Sequence, residues 1–171
     1  MKNKLVYNDA PDYCHYFFDL IETDNFLEEL QKSYLKTMEL FEMISPDQEN
    51  YAYLPNKWTI KEVLRHIIDC ERVYAYRALR FSRFDNTALA GFDENMYADN
   101  IRGNDSSIMD LKSEYQNIRM STIALFKSMT DEMLDFKGIA NNVSFTARAL
   151  GFMTVGHNLH HVKFIRAKYL V

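Results

Sequence analysis

The sequence predicts an all-α protein, a bundle of four long helices, and three observations predict it. Four stretches carry apolar side chains three and four positions apart, the spacing that lines one face of a 3.6-residue helix. No stretch shows a convincing alternation of apolar and polar residues that would mark a strand. The composition, 47% hydrophobic and 14% aromatic with 5 Gly and 3 Pro in 171 residues, is that of a chain that folds compactly, unlike a disordered or fibrous one. The length suits a single domain, 1–171.

The first pattern follows Thr23-Asp24, either of which is suited to cap a helix. It places Phe26, Leu27, Leu30, Tyr34, Met38 and Phe41 on one face and stops at Ser45-Pro46. The second opens with Thr59-Ile60-Lys61-Glu62, a capping box in which the Thr side chain accepts from the backbone near Glu62 while Glu62 reaches back. Its core face reads Ile60, Val63, Leu64, Ile67, Tyr74 and Ala78, with His66 beside it. A third runs from about Ser107, where Ile108, Leu111, Tyr115, Ile118, Thr122, Leu125 and Met129 form a bundle seam. The last spans about Ser144 to Lys168, with Leu150, Met153, Val155, His157, His161, Phe164 and Ile165 inward.

Two stretches resist a helical reading. From about Phe84 to Asp105 the chain carries Asp85-Asn86, Gly91, Asp93-Glu94-Asn95 and Gly103-Asn104. A connection this long is uncommon in a compact domain unless it has a job, so a crossover that covers a site is expected. Tyr13, Tyr16, Phe17 and Phe18 make the opening residues aromatic enough to pack across the bundle, with Pro11 delaying the first helix.

A net charge of −4 leaves little to neutralise phosphates, and direct nucleic-acid binding is not expected. Arg72, Arg77, Arg80 and Arg83 follow helical spacing and read as a solvated or ion-paired face. Cys14 and Cys70 are far apart and outside any C-x-x-C motif, so both are expected to be small buried hydrophobes. The opening Met1-Lys2-Asn3-Lys4-Leu5-Val6-Tyr7 does not resemble a signal peptide, and no window reaches a membrane span. The expectation is a soluble cytoplasmic protein with no membrane partner.

Three of the five histidines are placed to share a metal ion: His66 on the second helix, and His157 with His161 on the last. Residues four apart project from nearly the same side of a helix, and neutral imidazole is the commonest metal ligand. His160 competes for the same role, since it lies three positions after His157. Its angular offset is about 60° against about 40° for His161, which favours His161. Without metal, each imidazole needs its own hydrogen-bond partner in the core. Asp69 has two readings, orienting a ligand imidazole from the second shell or pairing with a nearby arginine, whereas Glu71 reads as an ion pair. An imidazole set without thiolates suits an open, catalytic type of site holding zinc, nickel or ferrous iron. The zincin arrangement is excluded because Asn158, not Glu, follows His157.

Taken in order, Lys57-Trp58-Thr59-Ile60-Lys61-Glu62-Val63-Leu64-Arg65-His66-Ile67-Ile68-Asp69-Cys70-Glu71-Arg72, then Leu89-Ala90-Gly91-Phe92-Asp93, then Gly156-His157-Asn158-Leu159-His160-His161 closely resemble the DinB-like (DinB/YfiT) superfamily over nearly the whole chain. The resemblance implies an up-down-down-up four-helix bundle with a long crossover between helices 2 and 3. It also implies a three-histidine metal site that falls on His66, His157 and His161, and it makes a homodimer plausible. Characterised relatives include metal-dependent transferases that use small thiols such as bacillithiol or mycothiol. Where similar sequences often carry Glu, this chain has Asn158, which removes a candidate acid or base. The function expected is therefore a metal-dependent enzyme, a thiol S-transferase or a hydrolase. It would act on a small-molecule substrate with a divalent metal ion and a low-molecular-weight thiol as cosubstrate. The alternative is a non-enzymatic stress-related metal-binding or helical interaction protein.

Overall fold

The computed structural model describes residues 4–101 and 106–170. Gly103, Asn104 and Asp105 of the expected crossover, and Met1, Lys2 and Asn3 of the opening, lie outside the described residues. A short helix α1 (His15–Phe18) precedes α2 (Phe26–Met43) and α3 (Ile60–Ser82). There follow α4 (Glu94–Asn100), α5 (Ile108–Lys127), α6 (Asp131–Asp135), strands β1 (Lys137–Ala140) and β2 (Val143–Thr146), and α7 (Ala147–Lys168).

Helices α2, α3, α5 and α7 form the bundle, and their side-chain pairs give its directions. Phe26 meets Phe152 and Thr37 meets Asn158, so α2 and α7 run parallel. Arg65 meets Glu114 and Glu71 meets Arg119, so α3 and α5 run parallel too. Phe26 with Phe126 and Phe41 with Tyr115 make α2 and α5 antiparallel. The topology is thus up-down-down-up. Two consecutive parallel helices force the chain between α3 and α5 to travel back along a bundle about 30 Å long, which is the task of the crossover.

Local chemistry sets the ends. The capping box at Thr59 forms as expected, with Thr59 N donating to Glu62 Oε2 at 2.7 Å and Glu62 N to Thr59 Oγ1 at 3.2 Å. A second box, Ser107 with Asp110, starts α5. Neither Thr23 nor Asp24 caps α2; the N-cap is Asn25, whose side chain accepts from Glu28 N at 3.3 Å. The last helix begins at Ala147 rather than Ser144, capped by Thr146.

One short hairpin is added to the all-α bundle. Lys137–Ala140 and Val143–Thr146 pair antiparallel around Asn141 and Asn142, both at positive φ (53° and 62°), the backbone that a tight two-residue hairpin requires and that Asn tolerates. Four-residue strands are too short for alternation to stand out in sequence. The crossover is pinned to this hairpin: Leu89 N donates to Ile139 O at 2.9 Å and Asn141 N to Leu89 O at 3.0 Å. A side chain at Gly91 would place its Cβ 2.3 Å from Asn141 Oδ1, so the Asn141 side chain would have to turn aside.

The core is divided along its length. One apolar cluster, with Phe18, Phe26, Phe81 and Phe126, fills one end, and another, with Leu40, Ile67, Leu111 and Ile165, fills the other. Between them each bundle helix contributes buried polar residues: Ser33 and Thr37, Glu71, Arg119, and His157 with Asn158. On α5 the buried face is rotated from the expected seam, with Arg119, Ile123 and Phe126 buried and Ile118 and Leu125 only partly so. No helix among the described residues is long and apolar enough to cross a membrane.

Candidate metal centre

His66 lies in the second turn of α3, and His157 and His161 lie one turn apart on α7. Because α3 and α7 are antiparallel neighbours, the three imidazoles meet. His66 Nε2 is 3.0 Å from His157 Nε2, which is 3.2 Å from His161 Nε2. These spacings match donors gathered on one ion: nitrogens about 2.0–2.1 Å from a tetrahedral zinc are about 3.3 Å apart. Each imidazole nitrogen has one in-plane direction for a proton or a lone pair, so His157 Nε2 can satisfy only one of its two neighbours with a hydrogen bond. A cation at their meeting point would satisfy all three. His161 Nδ1 is buried with no hydrogen-bond partner among the described residues.

Electrostatics keeps these rings neutral, the form that binds metal. Burial, then the charge of His160, pushes His66 down to about 4. Burial, with His66 and His160, pushes His161 down to about 2. His157 lies well below its ordinary value, through burial first and then His161, His66 and His160. His160 stands apart: its Nδ1 is 2.9 Å from Tyr16 Oη, and its ring flanks His161.

Of the other predicted residues, Asp69 accepts from Arg72 at 3.2 Å and makes no hydrogen bond to a histidine among the described residues. The side chain near His66 Nδ1 is Cys70, with Sγ at 3.6 Å. Burial pushes the Cys70 thiol up to about 12, so it is protonated in the metal-free protein. Cys14 and Cys70 are both buried and free, as expected. Glu71 forms an ion pair, and its partner is Arg119 across the core, at 2.8 Å on both oxygens.

Asn158 faces away from the histidines. Its Oδ1 accepts from Tyr115 Oη at 2.6 Å and Arg119 at 2.8 Å, and its Nδ2 donates to Thr37 Oγ1 at 2.8 Å. One helical residue is a rotation of about 100°, which carries position 158 off the face that bears His157 and His161. A carboxylate in its place would therefore meet Arg119 rather than a ligand at the histidines.

Over the histidines opens a cavity of about 460 Å³, within the range of small-molecule sites. Phe17, Trp58, Tyr74, Phe92 and Phe145 supply aromatic walls. The crossover delivers Phe92 and Glu94 to this wall, the covering role expected of it. Of the opening aromatics, Phe18 is buried and Phe17 packs against α7, while Tyr13 and Tyr16 stay more than half exposed near the mouth.

Two features escaped sequence reasoning. Arg119 is fully buried, although its position four after Tyr115 and three before Thr122 already placed it on the core face. The helical spacing of the arginines places Arg77 on a solvated or paired face. Arg72 and Arg80 do form ion pairs, with Glu114 and Asp85, but Arg77 is 6% exposed and lines the cavity. Eleven residues after His66, it returns to within about 20° of the same helix face.

Comparison with known proteins agrees with this architecture. The sequence profile of the DinB superfamily matches residues 29–165. YfiT from Bacillus subtilis, described as a probable metal-dependent hydrolase with an unusual four-helix bundle topology, superposes with a TM-score of 0.74 at 18% identity, covering 84% of this chain and 83% of its own. A DinB-like protein from Bacillus subtilis, YjoA, superposes with a TM-score of 0.61 at 20% identity, covering 85% and 89%. No curated protein sequence matches the chain.

Proposed function

The chain belongs to the DinB superfamily, and from that premise we propose that it is a metal-dependent enzyme for a small-molecule substrate, with His66, His157 and His161 holding one divalent ion. The observation that carries the reading is the convergence of three neutral Nε2 atoms beneath an aromatic cavity. Zinc, nickel and ferrous iron all suit three imidazoles. An ion held there supplies Lewis acidity that favours the deprotonated form of a thiol or water.

The protein's own groups favour a thiol. Glu94 is the only carboxylate among the described residues of the large cavity wall, and it is exposed, with an oxygen within 4.8 Å of a His66 ring nitrogen. A free thiol, with a pKa near 8.5, is far closer to ionisation at neutral pH than free water at about 15.7, so it asks less of the ion and of any protein base. Trp58, Phe17 and Tyr74 pack around the histidines and offer apolar surface to an electrophile. Thiol transfer is therefore the first reading. Hydrolysis is the second, supported by the description of YfiT, with Glu94 as the nearest base. A metal-storage role would have no use for the cavity.

The test begins with protein purified without a histidine tag or added metal. About one equivalent of metal per chain is expected, and none in His157→Ala/His161→Ala. Loaded protein is then given a low-molecular-weight thiol with a panel of electrophiles, and separately a panel of esters and amides. Thiol consumption that needs the metal supports transfer, and metal-dependent ester or amide cleavage without thiol supports hydrolysis. Absence of metal uptake from zinc, nickel and iron alike would overturn both.

A further inference from the structure

Arg77 is a buried cation without a buried counter-ion. It is 6% exposed, and among the described residues no carboxylate lies within ion-pair distance. Of its five N–H donors, one is accounted for by Ala90 O at 3.2 Å. The guanidinium also lies over the Phe92 ring, 5.6 Å from its centroid. The groups that act most on its charge, Tyr74, Tyr13 and Cys70, are all pushed up in pKa, chiefly by burial, and so stay neutral at pH 7. Glu94 shares the cavity wall but is exposed. Arg119 shows what this protein does with a structural buried arginine: it is held by both oxygens of Glu71, by Asn158, by Ser33 and by Leu30 O. An uncompensated buried charge is costly, and Arg77 faces a cavity large enough to bring the missing anion.

We propose that Arg77 is the anion-recognition residue of the cavity and that the substrate is an extended molecule carrying a carboxylate. The planar guanidinium matches a carboxylate with two parallel hydrogen bonds. His66 and Arg77 share one face of α3, about 16 Å apart along its axis. An acid bound at Arg77 therefore extends its body along the aromatic walls, with its far end directed toward the histidines. Arg77 thereby fixes which end of the molecule meets the reactive centre. The substrate role of this acid rests on the enzymatic reading above, whereas its binding at Arg77 does not.

The test uses Trp58, the single tryptophan, which lines the cavity beside His66. Its fluorescence is followed while 4-phenylbutyrate and 8-phenyloctanoate, and the primary amide of each, are titrated into protein with and without zinc. The metal-free arm is decisive, because a carboxylate can also bind a metal. Each acid is expected to bind at least about tenfold more tightly than its amide. In Arg77→Met that preference disappears while the amides bind as before, and Arg77→Lys retains part of it. Equal binding of acid and amide to metal-free wild-type protein overturns the proposal, as does an unchanged preference in Arg77→Met or no binding of any probe at millimolar concentration. If Arg77→Met does not fold, the wild-type comparison and Arg77→Lys decide. Failure of the metal reading would show instead as absent zinc uptake, leaving the acid-over-amide preference in place.

Discussion

His157 and Asn158 are consecutive on α7 and belong to two different polar systems. His157 Nε2 points to His66 and His161, while Asn158 accepts from Tyr115 and Arg119 and donates to Thr37. The helix backbone is thus held from one side by a buried hydrogen-bond network while it presents imidazoles on another. Such support restricts the freedom of the face that bears His157 and His161.

The two systems should separate in Asn158→Leu. Leucine removes the acceptor for Tyr115 and Arg119 and the donor to Thr37, leaving buried polar groups unsatisfied. A loss of about 2–4 kcal/mol is expected in denaturant unfolding. Zinc stoichiometry, measured on the folded fraction, should stay at one per chain; loss of zinc with stability intact would contradict the separation.

The pair Glu71–Arg119 is 2% and 0% exposed. Burial opposes the Arg119 charge, but Glu71 and Tyr115 together outweigh it and raise the pKa of Arg119. Arg119→Met should cost about 3–5 kcal/mol, because it strands a buried carboxylate. Adding Glu71→Leu should recover part of that loss in a double-mutant cycle, and a strictly additive second loss would refute the mechanism.

Gly156 precedes His157 under the turn formed by α1. A Cβ there would lie 2.3 Å from Phe17 O, a backbone atom that cannot simply rotate away. Alanine gains about 1 kcal/mol of helix propensity, but displacing α1 is expected to cost about 1–3 kcal/mol. Gly156→Ala should therefore lower or leave level the melting temperature and weaken zinc binding in calorimetry. A more stable variant with unchanged zinc affinity would show that α1 does not brace the site.

In metal-free protein, stability should fall as pH drops below about 6.5, the ordinary value for histidine. Between that value and about 4, where burial and His160 place His66, the unfolded chain takes up a proton that the native ring refuses. The unfolded state is favoured by about 3 kcal/mol for His66 at the lower end, and His157 and His161 act in the same direction. Unfolding followed from pH 7 to 5, above most carboxylate titration, should show this slope, and His66→Gln should flatten it. An equal slope in the variant would mean that other groups carry the effect.

Zinc should stabilise wild-type protein by mass action, by about 2.7 kcal/mol at a free concentration one hundred times its dissociation constant. His66→Ala should retain less of this shift than wild type, and His157→Ala/His161→Ala none. A full zinc shift in the double variant would place the ion elsewhere.

The four bundle helices, several of their ends and the candidate histidines were legible in the sequence, because these are local matters. A 3.6-residue period, the Thr59–Glu62 box and the His157–His161 spacing are legible without knowing what packs where. The hairpin was not legible, since a pair of four-residue strands is held by its turn and by Leu89 from a distant segment. It took the packing of the helices to bring His66 to His157, to turn Asn158 toward Arg119 and to set Arg77 in the cavity wall while Arg72 and Arg80 pair outside it. Each of these depends on which helices are neighbours and in which direction they run, and in this bundle the parallel pairing of consecutive helices α3 and α5 set that order.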